Sequence, residues 1–221
     1  MITLDKTSYP LGPRNSIKIR DLGPNLELWQ IGTDRLGEYT ALFARIYAHH
    51  YSEYSERNRT DDELRAIYRR LHDHAVFMAA VKDGVIVTTG MALQAHGPNA
   101  TPVLPEDIAP VLKPAEMARE LQAPEAWFVT RMAINPDMVS PREGDLILRA
   151  VSGVTADIIS GHPDNIMIGV LEEKLRRLYR RYGIHWQVLD ELEMPIGNGL
   201  TMQRTFVRAR DLAQARSGSA A

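Results

Sequence analysis

The chain contains no cysteine. That excludes disulfides, a cysteine nucleophile and thiolate metal sites, and it fits the reducing cytoplasm, where the protein is expected. No apolar run approaches the roughly 20 residues needed to span a bilayer. The first 20 residues are mixed and polar, unlike a secretory signal peptide. Neither sign of charge dominates: 26 Lys and Arg stand against 28 Asp and Glu, a net charge of −2. Such a balance argues against wholesale nucleic-acid binding and still permits a local basic patch. No Gly-x-Ser-x-Gly, Walker loop or Rossmann fingerprint occurs, and no internal repeat. His49-His50 and His72-x-His74 lack any further ligand pattern, so no metal site is expected.

What is present suits one domain of mixed structure. The chain has 221 residues, 44% of them hydrophobic, enough for a real core. Residues 1–25, with Pro10, Pro13 and Pro24, read as an irregular arm, and the Ala/Ser/Gly-rich stretch 213–221 as a flexible tail. Residues 26–212 hold the folded domain. Leu26 to Ile31 is a short strand candidate. Leu36, Tyr39, Phe43 and Ile46 recur at helical spacing. Thr60-Asp-Asp-Glu63 is a capping box that starts a second helix with Leu64, Ile67, Tyr68 and Leu71 on one face. Val76 to Val81, a Lys82-Asp83-Gly84 turn and Val85 to Leu93 predict a hairpin. A proline-rich insertion, 97–124, follows, with a turn of helix near 115–121. Ala126 to Ile134 is the next strand. Ile147, Val151, Val154 and Ile158 then predict a helix, Ile166 to Leu171 a strand, and Glu172 onward a helix stopped by Gly183. His185 to Leu189 and Leu200 to Val207 are the last strands.

Two helices, an antiparallel hairpin and then β-α-β-α-β-β is an uncommon order. Crossover helices require parallel neighbours within an otherwise antiparallel sheet. The expected fold class is α/β (α+β): a mixed, mostly antiparallel sheet with a parallel central pair and flanking helices.

That order resembles the GNAT acyltransferases. So does Leu175-Arg-Arg-Leu-Tyr179-Arg-Arg-Tyr-Gly183-Ile, which is similar to the family's aromatic-rich late helix. So does Phe128 to Ile134 before Asn-Pro, which looks like the strand that splays to admit a pantetheine arm. Trp127-Phe128-Val129-Thr130-Arg131 further resembles the Trp-Glu-x-Ser/Thr-Arg segment of acyl-homoserine-lactone synthases and N-acyl amino acid synthases. The resemblance covers about residues 26–207 by order of elements. It implies an N-acyltransferase with no tightly bound cofactor. The acyl group would come from acyl-carrier-protein phosphopantetheine or acyl-CoA as co-substrate. The acceptor would be a small amine such as an amino acid or a homoserine-lactone-like compound.

The chain departs from the pattern at three places. Phe128 stands where the synthases have Glu. Residues 51–59 lack the synthases' Trp. Ser140-Pro-Arg142-Glu-Gly144-Asp145 keeps only one Arg and one Gly of the phosphate loop. Without that Glu and Trp a lactone acceptor loses expected contacts, whereas acyl transfer does not depend on them. A reduced phosphate loop suits a carrier-protein donor, which has one phosphodiester instead of a pyrophosphate.

The resemblance assigns roles residue by residue, and each has a plainer alternative. Tyr179 would be the acid for the leaving thiolate, or a core-facing aromatic. Arg131 would hold the acceptor or the cleft wall, or be an ordinary exposed strand position. Glu172 would be a base, or a first-turn carboxylate favoured by the helix dipole. Trp127, Phe128, Thr130 and Met132 would line the substrate cleft, and Arg142 and Gly144 the donor's phosphate. Lys174, Arg176, Arg177, Arg180 and Arg181 form a basic face that would dock an acidic carrier protein, or simply be solvated. Two other functions stay open: a conventional acetyl-CoA-dependent N-acetyltransferase, and a non-catalytic acyl-ligand-binding domain.

Overall fold

The computed structural model describes residues 9–50, 60–102, 104, 112–193 and 201–212. The strands are β1 (Ile17–Gly23), β2 (Leu26–Gln30), β3 (Ala75–Lys82), β4 (Val85–Ile86), β5 (Thr88–His96), β6 (Ala126–Ile134), β7 (Ile166–Leu171), β8 (Gln187–Glu193) and β9 (Thr201–Arg208). The helices are α1 (Leu36–His50), α2 (Asp61–His72), α3 (Pro114–Glu120), α4 (Pro141–Ile159) and α5 (Glu173–Arg180). No helix among the described residues is long and apolar enough to cross a membrane. The chain divides into two compact units, one running to Leu93 and including Thr130–Val151, the other Gln94–Val129 with Ser152 onward.

In the first unit the strand order is β1-β2-β3-β5-β6, with β4 beside β3. β1 pairs antiparallel with β2, so Ile17 to Gly23 is a strand and not part of an irregular arm. It is a mostly exposed edge strand, without the apolar alternation that would betray it. β3 is buried along all but its last residue, which is why it reads as an unbroken apolar run. Asp83 and Gly84 both adopt positive φ, 50° and 81°, as a tight hairpin turn requires. The return strand is interrupted. Lys82 faces Val85 and Met78 faces Gly90, so one extra residue enters at Val87–Thr88.

The two helices of this unit bury most of the stripes their spacing predicts, with Ile67 half-buried. Leu36, Tyr39, Phe43 and Ile46 are buried on α1, and Leu64, Tyr68 and Leu71 on α2. The Thr60–Glu63 capping box is formed at the start of α2. Tyr39, Phe43, Tyr68 and Phe77 pack ring against ring, with centroids 5.2 to 6.0 Å apart. Edge-to-face packing of this kind stabilises beyond area burial alone.

In the second unit the order is β6-β7-β9-β8. β6 and β7 are parallel, and β7 with β9 and β8 with β9 antiparallel. The mixed sheet with one parallel pair is the architecture the element order predicts. Two boundaries move: β8 runs Gln187–Glu193, later than the expected 185–189, and β9 runs Thr201–Arg208. Within the 97–124 stretch, Pro114–Glu120 is helical, as the turn expected near 115–121. The segment 51–59, the loop with Pro195, Gly197 and Gly199, and the tail 213–221 lie outside the described residues.

Candidate active site

In the second unit the β6–β7 ladder is short. Ala126, Trp127 and Phe128 face Ile166, Met167 and Ile168, and the register ends there among the described residues. β7 runs on through Gly169, Val170 and Leu171, still paired to Thr205, Arg204 and Gln203 of β9. The Gly169 carbonyl accepts from Thr205 Oγ1 at 3.1 Å, so it points to β9. Successive strand residues alternate, which turns the N–H and C=O of Val170 toward the opposite edge. This strand edge offers backbone donors and acceptors to an extended, amide-bearing ligand.

The start of β6 is held rigidly. Trp127 Nε1 donates to Glu125 Oε2 at 3.0 Å, and Asn165 Nδ2 donates to the same oxygen at 3.4 Å. Asn165 Nδ2 also bonds the carbonyl of Ile159 at 3.2 Å. Trp127 and Phe128 are both buried. Glu125 thus fixes the indole and the start of β7, a role that sequence reading did not assign to it.

The late helix α5 starts after Glu172 and stops at Gly183, whose φ of 76° is the left-handed conformation expected there. The Ile184 amide bonds the carbonyl of Tyr179 at 3.2 Å, and the Ile184 side chain is buried. This closure sets Tyr179 against the edge of Trp186, ring centroids 6.0 Å apart at 67°. Tyr179 is half-buried. Burial pushes its phenol up to about 12, with a smaller push from Tyr182. The hydroxyl is therefore protonated throughout the neutral range, as a general acid must be. Glu172 caps α5 by position, yet its side chain makes no capping bond. Lys174 Nζ stands 3.9 Å from its carboxylate. α5 buries no residue fully, so Leu175 is exposed and Arg180 and Arg181 face solvent.

In the first unit β6 carries an irregularity that the sequence does not announce. Arg131 has φ 59°, rare for a residue with a side chain, and its carbonyl accepts from Thr89 Oγ1 at 2.8 Å. The Arg131 side chain is only 3% exposed, and its guanidinium stands 5.4 Å from the Phe43 ring centre. The reading of Arg131 as an ordinary exposed position is therefore wrong. Thr130 and Met132 are half-buried, with the Met132 sulfur close over Gly90.

Ser140, Glu143 and Lys82 close the start of α4. Ser140 N and Oγ both donate to Glu143 Oε2 at 2.8 Å, and Glu143 N returns to Ser140 Oγ at 3.3 Å. This is a second capping box, missed in the sequence although it obeys the same rule as the first. Lys82 Nζ lies 2.8 Å from Glu143 Oε1. The Lys82 ammonium and the Ser140 bonds hold the Glu143 carboxyl down at about 2. Arg142 is exposed and the Gly144 amide donates to the Ser140 carbonyl at 2.9 Å. A Cβ on Gly144 would meet only Val139, at an ordinary 3.9 Å, so the protein's own packing does not demand glycine.

Thus Trp127, Phe128, Glu172, Tyr179 and the basic helix belong to one unit, and Thr130, Arg131, Met132, Arg142 and Gly144 to the other. Among the described residues no group of three or more histidines or carboxylates is placed to hold a metal.

No protein-family model matches the chain, and no curated protein matches it in sequence. Solved structures do match. An uncharacterized protein from Bacillus halodurans is similar with a TM-score of 0.59 at 13% identity, over 93% of this chain and 96% of its own. FeeM, an N-acyl amino acid synthase from uncultured soil microbes, is similar with a TM-score of 0.59 at 11% identity, with the same coverage. A spermidine N-acetyltransferase from Vibrio cholerae, solved with CoA and spermine, gives 0.56 at 12% identity over 86% and 98%. At such identities the likeness is one of fold. The chain has the GNAT fold.

Proposed function

We propose that the chain is an N-acyltransferase, moving an acyl group from a phosphopantetheine thioester to the amine of a small acceptor. The observation that carries this reading is Tyr179, a protonated, half-buried phenol on the late helix of a GNAT fold. The Val170 edge of β7, beyond the β6 register among the described residues, supports it, because a pantetheine arm carries amides that a strand edge can bond.

In the reaction the free amine attacks the thioester carbonyl. The C–N bond forms, the C–S bond breaks, and the electron pair leaves with sulfur. Tyr179 gives its proton to that thiolate. The proton lost by the amine goes to Glu172, whose carboxylate is not engaged in capping, and the phenol is restored from solvent. Fold neighbours that are N-acetyltransferases and an N-acyl amino acid synthase support the reaction class.

Carrier protein is the donor we favour over CoA. Amides at the start of α4 are spent on the Ser140–Glu143 capping box, and the nearby Lys82 ammonium is spent on Glu143, which leaves less there for a pyrophosphate. The acetyl-CoA reading draws on the neighbours solved with CoA.

The test combines product and acid. Lipid extracts of a host expressing the chain should contain a new acyl amide by mass spectrometry. Tyr179→Phe keeps the ring against Trp186 and removes one hydroxyl. It should lower kcat by roughly 10²-fold with little change in Tm. No acyl amide from the wild type, or a wild-type rate in Tyr179→Phe, would sink the reading.

A further inference from the structure

The three tryptophans differ in one respect. Trp29 Nε1 donates to Glu27 Oε2 at 2.8 Å, and Trp127 Nε1 to Glu125 Oε2 at 3.0 Å. In each case the carboxylate stands two residues earlier in the chain. Two residues before Trp186 is Ile184, whose side chain has no acceptor to offer. Trp186 is only 4% exposed, and its Nε1 is buried with no partner among the described residues. Its benzo edge lies on β7: a Cβ on Gly169 would come within 3.4 Å of Cη2 and 3.5 Å of Cζ3. The N–H is at the other end of the indole, turned from that contact.

A second donor near Tyr179 is in the same position. Arg176 Nε is buried and has no partner among the described residues. Its neighbours on α5 are differently placed, since Arg177 pairs with Glu173 at 2.5 Å and Lys174 reaches Glu172. Arg176 and Tyr179 are three residues apart, so they share a helix face. Tyr179 in turn touches Trp186 edge to face. Thus one cationic and one neutral N–H, both removed from water, belong to side chains next to Tyr179, one by helix spacing and the other by ring contact. Leaving either without an acceptor carries its full desolvation cost. A cation beside a second donor matches a group with two anionic oxygens.

We propose that Arg176 Nε–H and Trp186 Nε1–H together bind an anionic oxygen group, a carboxylate or a phosphate, carried by a substrate. The acyltransferase reading enters only in naming the bearers: the acceptor's carboxylate, or the donor's phosphate. A carboxylate would make the acceptor an amino acid, as distinct from a plain amine or polyamine.

The experiment reads the indole N–H directly. In protein with 15N-labelled tryptophan each of the three indoles gives one 1H–15N signal. Trp29→Phe, Trp127→Phe and Trp186→Phe assign them, so any two that fold suffice. The probes are two pairs, phosphopantetheine with pantetheine, and N-octanoylglycine with N-octanoylglycinamide. The Trp186 signal should move downfield with the anionic member of one pair and not with its neutral counterpart. The responding pair names the source. Arg176→Gln should weaken that anionic probe about tenfold or more, as for a lost charged hydrogen bond, and leave the neutral one unchanged. A Trp186 signal unmoved at saturating anionic probes, or moved equally by neutral ones, overturns the proposal. Turnover is measured separately on the wild type. An active enzyme with a silent Trp186 rejects this subsite alone. An inactive protein whose Trp186 still responds rejects the acyltransferase reading and leaves the subsite standing.

Discussion

At the start of α4 a single carboxylate, Glu143, takes the place that a bound anion would occupy. It accepts from both the amide and the hydroxyl of Ser140 and draws in Lys82, whose ammonium is the first cause of its low pKa. The sign of the consequence follows. A carboxyl whose folded value lies near 2, against an ordinary 4.5, stabilises the fold above 4.5. That contribution drains away as the pH falls from there toward 2. Glu143→Gln retains a side chain able to close the capping box but has no charge for Lys82 and no proton to take up. Its Tm should be lower near neutrality and decline less than that of the wild type through the same acid window. Thermal melts across that window decide it, and parallel Tm curves for the two proteins would show that Glu143 is not the titrating group.

The elements of the fold differ in how plainly their residues declare them. α1 and α2 were legible because Leu36, Tyr39, Phe43, Leu64 and Tyr68 recur at helical spacing and are buried where expected. Gly183 was legible because a left-handed stop favours glycine. β1 was not, since an exposed edge strand needs no apolar alternation and the prolines around it suggest a coil. The bend in β6 was not either. The positive φ at Arg131 goes with a long-range bond from Thr89 to its carbonyl, and residue type carries no mark of it. The Ser140–Glu143 capping box went unread for a different reason. The residues spell a capping box, but the resemblance invited a phosphate loop. α5 shows a third kind of limit. Its composition gives the cations of a basic face, but only the structure separates Arg177, neutralised by Glu173, from Arg180 and Arg181, which face solvent. If that face docks an acidic carrier, reversing Arg180 and Arg181 to Glu should lower kcat/KM for an acyl-carrier donor about tenfold at low salt, with the deficit shrinking as salt screens it. Acyl-pantetheine, which has no carrier to dock, should be used as before. An equal loss with both donors would mean that the charges support the helix and not a partner.

For the whole molecule, fold and donor have to be kept apart, because one fold hosts many sites. The GNAT architecture is common to neighbours as different as a polyamine acetyltransferase and an acyl amino acid synthase. The choice of donor therefore rests on this chain's own surfaces. A CoA donor needs a place for a pyrophosphate, and helix N-termini supply one only when their amides are unclaimed. Here Ser140 already claims the amide of Glu143, and the Glu143 carboxylate occupies the nearby Lys82 ammonium. A carrier-protein donor makes the opposite demand. It brings a single phosphodiester and its own acidic surface, so it needs little cradle and some exposed positive charge. A net charge of −2 gives no overall attraction to such a partner, so an attraction would have to be local, and Arg180 and Arg181 at the end of α5 are exposed with no ion pair among the described residues. From this we expect kcat/KM with an acyl-carrier protein to exceed that with the matching acyl-CoA, measured at equal chain length and with the same amine. We also expect Glu143→Gln to narrow the gap from the CoA side, by releasing the Lys82 ammonium at the start of α4 from its carboxylate partner. A clear preference for acetyl-CoA in the wild type, unaffected by Glu143→Gln, would place this chain among the CoA-dependent N-acetyltransferases.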